Sequence, residues 1–93
     1  MSKYSLERTS KFKKDYKRLQ KRGLDMSKLE AVVTMLAYGQ TLAPKYRDHA
    51  LTGNYKGYRD CHIEPDWVLI YKVDGDRLVL VLSETGTHAD LLE

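Results

Sequence analysis

His49, His62 and His88 are the three histidines of this 93-residue chain, and all lie in its second half. Histidine titrates near neutrality, so it moves protons readily at physiological pH. Around His62, the run Tyr58-Arg59-Asp60-Cys61-His62-Ile63-Glu64 alternates with the period of a strand. Alternation puts Tyr58, Asp60, His62 and Glu64 on one face and Arg59, Cys61 and Ile63 on the other. A wholly polar face in so small a protein is expected to be solvated or to line a cleft. Asp66 sits at the adjoining Pro65-Asp66 turn, and His49 and His88 flank the same sheet. Carboxylates close to histidines tune their hold on protons. His49, Asp60, His62, Asp66 and His88 therefore form the candidate acid–base set.

Other chemistries fit these residue types less well. Each histidine taken alone reads as a surface residue. Histidine and aspartate both bind zinc or manganese, but no tight pair of ligands is spaced for a metal, and Cys61 falls on the opposite strand face. No metal is expected. Ser83 lacks the glycine frame of a hydrolase nucleophile. Neither a phosphate loop nor a dinucleotide fingerprint is present, so no cofactor is expected. Cys61 reads as a small core residue. Trp67 can either stack on a base or anchor the edge of the core. Metal-free cleavage of RNA needs a base for the 2′-OH proton, an acid for the departing 5′ oxygen, and cations for the phosphorane. Histidines, carboxylates and nearby Lys/Arg supply those parts.

The rest of the chain must position them. Tyr4–Arg8 alternates as a short strand. Phe12, Tyr16 and Leu19 mark one stripe of a helix over residues 10–22, with Thr9 or Ser10 as cap and Gly23 as stop. Met26, Leu29, Val33 and Leu36 mark a second helix, capped by Asp25 or by a Ser27–Glu30 capping box and stopped near Gly39. The short link predicts an antiparallel helical hairpin. Residues 41–49, including His49, read as a loop. Strands follow over Tyr58–Glu64, Trp67–Val73 and Arg77–Ser83, with a hairpin turn at Asp74-Gly75-Asp76. The order predicts an α+β fold, with the helices packed on a twisted antiparallel sheet of about four strands.

Composition bounds the rest. The length suits one domain over residues 1–93. No run approaches the ~20 apolar residues that span a bilayer. The single cysteine and the absence of an apolar leader favour the cytoplasm. Net charge is +3, but it is unevenly spread. Residues 1–30 carry ten Lys/Arg against four Asp/Glu, and the remainder carries six against nine. A basic front raises the odds of a polyanionic or acidic partner. Lys11, Lys13, Lys14, Lys17, Arg18, Lys21 and Arg22 dominate it and are the candidate contacts to RNA phosphates, against the alternative of a solvated helix face.

The stretch from Asp48-His49 through Gly57-Tyr58-Arg59-Asp60-Cys61-His62 to Pro65-Asp66-Trp67-Val68-Leu69-Ile70-Tyr71, with Thr85-Gly86-Thr87-His88 near the end, resembles the YafQ-type toxins of the RelE/ParE superfamily. The resemblance covers nearly the whole chain. It implies a RelE/ParE-like, microbial RNase-like fold with a short C-terminal helical turn. It also implies a ribosome-dependent, metal-free mRNA endoribonuclease held in check by a cognate antitoxin of the DinJ/RelB kind, the toxin being monomeric when free. By position, His49, Asp60, His62, Asp66 and His88 match the family's catalytic and substrate-binding residues. Two positions depart from it. Glu84 stands where many relatives carry the arginine that serves the phosphate, and Leu92 where many carry the phenylalanine that packs on the base. Lys56 and Arg59 are the candidate replacement cations, although alternation sends Arg59 away from His62. Trp67 and Leu92 are the candidate base contacts. Alternatives are a binding-only member, as in the gyrase-poisoning branch, or a weakened enzyme acting mainly within the antitoxin complex.

Overall fold

The computed structural model describes residues 2–91. The chain forms β1 (Ser5–Arg8), α1 (Ser10–Lys21), α2 (Met26–Ala37), β2 (His49–Ala50), β3 (Arg59–Glu64), β4 (Trp67–Asp74), β5 (Val79–Gly86) and α3 (His88–Leu91), with 3-10 turns at Pro44–Tyr46 and Gly53–Tyr55. Leu92 lies outside the described residues.

Both long helices start and stop as their sequences predict. The Thr9 hydroxyl accepts the Phe12 N–H at 3.0 Å, relieving one of the unpaired donors of the first turn. Asp25, not Ser27, caps α2, its carboxylate accepting the Ser27 N–H at 3.1 Å. Gly23 closes α1 with φ +85°, a conformation that costs glycine least. Phe12 and Leu19 from α1, and Leu29, Val32 and Leu36 from α2, are buried with Cys61, Leu69, Leu80 and Leu82 from the sheet.

The two helices do not close on each other as a simple hairpin. α1 lies against β5 and α2 reaches towards β3. A cleft of about 430 Å³ opens between them, walled by Phe12, Tyr16, Leu29 and Val33 and floored by Leu6 and Leu82.

The sheet has five strands, ordered β1-β5-β4-β3-β2, not four. It is also mixed, because β1 runs parallel to β5, from Ser5 opposite Val79 to Arg8 opposite Leu82. Alternation over Tyr4–Arg8 carries no direction. Direction is set by α1, which must turn straight back over β5, and the Thr9 hydroxyl donates to the Ser83 carbonyl at 2.6 Å. β4 is central, and Trp67–Tyr71 is buried throughout. The fifth strand is β2, where His49 pairs with Asp60; the expected loop at His49 is thus a sheet edge, too short for periodicity to reveal.

The β4–β5 turn also differs from expectation. Asp74 pairs with Val79, so the loop is Gly75–Leu78 and β5 starts at Val79 and runs on to Gly86. The left-handed residue of that loop is Leu78, at φ +54°, so the Asp-Gly signal points to the right place but to the wrong turn.

Candidate active site at the sheet end

β3 brings Asp60 and His62 to one face, as alternation requires, and β2 lays His49 directly across from Asp60. The two-residue turn after β3 carries Asp66, and His88 opens α3 at the far end of β5. The structure thus gathers all five residues of the candidate set. The His62 and His88 rings are tilted against each other at 5.3 Å between centroids.

Each imidazole is held through Nδ1. His49 Nδ1 lies 2.8 Å from the Arg47 carbonyl, His62 Nδ1 lies 3.2 Å from the Pro65 carbonyl, and His88 Nδ1 lies 3.0 Å from Asp66 Oδ1. A carbonyl or carboxylate oxygen only accepts, so Nδ1 must be the donor in all three rings. The neutral tautomer then leaves every Nε2 with a lone pair, and with a proton to give once the ring is charged.

The carboxylates differ in kind. Asp66 is exposed, and hydrogen bonds from the His88 ring and backbone hold its carboxyl below the ordinary range. Asp60 is 3% exposed, so of the two expectations for the polar face, solvent or a cleft, solvent does not hold at this residue. Burial pushes its carboxyl upward, with His49, His62 and His88 pulling the other way. Its Oδ1 has no hydrogen-bond partner among the described residues, although His49 Nδ1 lies 3.2 Å away. That nitrogen's proton already points at the Arg47 carbonyl, so the contact is close without being a hydrogen bond.

The Thr85-Gly86-Thr87-His88 run acts as scaffold around the candidate residue His88. A register shift in the β4–β5 ladder frees the Thr85 N–H, which donates to the buried Asp15 carboxylate of α1 at 3.2 Å. The Thr85 hydroxyl accepts the Trp67 indole N–H at 3.0 Å and donates to the Val68 carbonyl at 2.9 Å. Thr87 caps α3 reciprocally. Asp90 Oδ2 accepts the Thr87 N–H at 3.0 Å, and the Thr87 hydroxyl accepts the Asp90 N–H at 3.2 Å. Arg22 then clamps Asp90 at 3.0 Å, and that pairing, with the Thr87 bonds, lowers the Asp90 pKa to about 2. A Cβ on Gly86 would meet Asp90 at 3.0 Å and Arg18 at 3.2 Å, so a side chain here would push on the two groups that hold α3.

Asp15, Thr85 and Asp90 carry no signal of this role in residue type alone. Asp15 sits three positions after Phe12, on the apolar stripe, and an acid on such a stripe is the signal that a buried partner waits for it.

The remaining candidate residues divide. Trp67 is buried to 2% exposure, so its ring is core and offers no face to a base. Arg59 is bound to Asp48 at 3.2 Å, and Asp48 also accepts the Tyr71 hydroxyl at 2.5 Å; that group belongs to the core side of β3. Lys56 is exposed after the Gly53–Tyr55 turn. Glu84 lies 3.7 Å from Lys11 and close to the Tyr55 hydroxyl, whose pKa its carboxylate raises.

Of the seven basic residues on or beside α1, Lys11 and Arg18 pair with Asp15, and Arg18 and Arg22 with Asp90. Lys13, Lys14, Lys17 and Lys21 are exposed. Among the described residues, no group of three or more His, Cys, Asp or Glu is arranged to hold a metal ion, and no helix is long and apolar enough to cross a membrane.

Known proteins share this fold. The family described as "Bacterial toxin of type II toxin-antitoxin system, YafQ" matches residues 4–93. The chain is 48% identical over 87 residues to the mRNA interferase toxin YafQ of Escherichia coli (strain K12), covering 92% of each protein. Its fold is similar to that of a crystal structure of the E. coli DinJ–YafQ toxin–antitoxin complex, with TM-score 0.89 and 43% identity over 98% of this chain and 99% of that one. It is equally similar to a metal-bound toxin from Helicobacter pylori, with TM-score 0.89 and 43% identity over 95% of this chain and 98% of that one.

Proposed function

The chain belongs to the YafQ family of bacterial toxins of type II toxin–antitoxin systems, and from that premise we propose that it is an mRNA interferase, an endoribonuclease that cuts translated mRNA on the ribosome. The observation that carries the reading is the fixing of three imidazoles through Nδ1, which leaves three Nε2 atoms for proton transfer at one end of the sheet.

One imidazole takes the 2′-OH proton. The freed oxygen attacks phosphorus, and the P–O5′ bond breaks through a pentacovalent phosphorane. A second imidazole, entering as imidazolium, gives its proton to the departing O5′. The products are a 2′,3′-cyclic phosphate and a 5′-OH. His62 and His88, whose rings are adjacent, are the proposed proton carriers, with His49 orienting or titrating the site. Asp66 compensates the imidazolium formed at His88, and Asp60 holds the opposite side of the histidine cluster. No metal enters this scheme, and cleavage is expected to survive EDTA under conditions that keep ribosomes intact.

The proposed partners are the ribosome with its mRNA, reached through the exposed lysines of α1, and a cognate antitoxin related to DinJ. The antitoxin is taken to fold on docking and to seat apolar side chains in the cleft between α1 and α2, whose rim carries Arg8, Lys13 and Lys17. An acidic amphipathic segment matches that rim and floor. The proposed free toxin is a monomeric single domain over residues 1–93, acting in the cytoplasm.

A second reading, a weakened enzyme acting mainly within its antitoxin complex, is favoured by Glu84, an acid held by Lys11 and Tyr55 on β5 close to the site strands. Mapping RNA ends on translated mRNA after induction without antitoxin decides between them. Discrete internal ends bearing 2′,3′-cyclic phosphate support the enzyme, and unchanged mRNA with growth unaffected overturns it.

A further inference from the structure

Phosphorane chemistry needs a cation at the phosphate, and ion pairing removes most of the nearby candidates. Arg59 is taken by Asp48, Lys28 by Glu64 at 2.6 Å, and Lys11, Arg18 and Arg22 by Asp15 and Asp90. A cleft of about 690 Å³ runs past His62 along the edge of β3, and Lys45 and Arg47 line it with His62, Ile63 and Pro65. Arg47 is exposed, and among the described residues it makes no ion pair.

Its backbone is unusual. Arg47 follows the 3-10 turn at Pro44–Tyr46 with φ 48° and ψ 42°, and with Leu78 it is one of two non-glycine residues at positive φ among those described. The left-handed region strains an L-residue and suits glycine or asparagine. The conformation is useful in itself, because it directs the Arg47 carbonyl to His49 Nδ1 at 2.8 Å. Glycine would supply that carbonyl with less strain, so the backbone alone does not account for an arginine here. Strain retained at a site is a reason to look for what the side chain does.

Resting on the nuclease reading above, we propose that Arg47 is the phosphate-binding residue of this site: its guanidinium holds an RNA backbone phosphate in the cleft beside His62, with Lys45 in support, while its carbonyl orients His49. A planar guanidinium meets two phosphate oxygens at once, which a lysine ammonium does not.

The test is NMR titration of the full chain with a 2′-O-methyl RNA dinucleotide, which binds but cannot be cut, read at the His62 ring and the Arg47 guanidinium. Arg47→Gln is expected to weaken binding about tenfold, the scale of losing one charged hydrogen-bonding partner. Arg47→Gly is expected to weaken it equally while raising the thermal midpoint, because it relieves the left-handed strain. Arg47→Lys should recover part of the loss. Lys72→Gln, a charge change outside the cleft, should bind as the parent does.

If Arg47→Gln and Arg47→Gly bind like the parent, if Lys72→Gln loses as much as they do, or if the parent itself does not bind, the assignment is overturned. A parent that binds the dinucleotide in this way but cuts no translated mRNA defeats the nuclease reading and leaves the phosphate site standing.

Discussion

Asp66 holds His88 twice: its Oδ1 lies 3.0 Å from the ring Nδ1 and 3.4 Å from the backbone N–H of the same residue. One exposed carboxylate thus fixes both where α3 begins and which tautomer its first side chain adopts. Asp66→Asn keeps an acceptor but removes the charge that compensates an imidazolium. It is expected to slow single-turnover cleavage of ribosome-bound mRNA by about ten- to a hundredfold, within the range of general acid–base effects, and Asp66→Ala by more. The Asp66 carboxyl is held below its ordinary value. Its hold on His88 is therefore fully present above the ordinary carboxylate range and is lost as pH falls through the depressed value. Equal rates for Asp66→Asn and the parent would separate Asp66 from the chemistry.

Asp60 poses the opposite problem. It is buried, and burial raises its pKa. A carboxyl raised on folding opposes folding once ionised. The penalty is present above the folded pKa and disappears as pH falls below the ordinary carboxylate value. Asp60→Asn is expected to stabilise the protein near neutrality by about 1 kcal/mol, or about 4–8 °C in thermal midpoint for a domain this small, while cleavage falls. Thermal melts across pH check it: the gain should shrink in acid. An Asn variant less stable than the parent at pH 7 would show that the histidine charges outweigh desolvation.

The Arg22–Asp90 clamp makes a prediction away from the histidines. Asp90→Ala removes the reciprocal cap and the partner of Arg22, and should cost about 1 kcal/mol of local stability at α3. Amides of α3 should exchange faster with solvent, and cleavage should drop although His88 is intact. With a pKa lowered to about 2, the clamp persists at every pH above the ordinary carboxylate range and loosens only as pH falls towards 2. Unchanged exchange at α3 would refute it.

The basic residues of α1 should separate into two functional groups. Replacing Lys13, Lys14, Lys17 and Lys21 by Gln should weaken ribosome co-sedimentation and flatten its salt dependence, by a slope of up to about 1 for each phosphate no longer neutralised, with little change in melting. Replacing Lys11, Arg18 and Arg22 should lower the melting temperature, because Asp15 is 1% exposed and would be left as an unpaired buried charge. Ribosome binding unchanged at all salt concentrations by the first set would return those lysines to a solvated face.

Much of this is readable from residue order. Alternation at Tyr58–Glu64 places Asp60 and His62 together and Cys61 in the core, and the stripes Phe12–Leu19 and Met26–Leu36 fix both helices. What stays hidden depends on distant partners. A two-residue strand such as β2 has no period, so the pairing of His49 with Asp60 is invisible in the sequence. Parallel and antiparallel strands share the same alternation, so β1 cannot declare its direction. Trp67 and Arg59 keep open roles because a residue type does not reveal what it will meet. Asp90 looks like an ordinary surface acid until Arg22 comes beside it, and Asp15, though its place on the apolar stripe marks it, does not reveal that its partner is Thr85.

The pairing of β1 with β5 joins Ser5 to Val79 and so has consequences in time as well as in space. The strands bearing His49, Asp60 and His62 are near neighbours in sequence and can zip up locally, whereas β1 and α1 must find the far end of the chain, and long-range closure is the slow part of folding. Arg22 reaches Asp90 and Asp15 reaches Thr85 only after that closure. The helix that His88 opens, α3, is therefore the last part of the site to be set. A newly made toxin should pass through a compact but harmless interval, and in refolding experiments cleavage should lag behind the recovery of backbone circular dichroism.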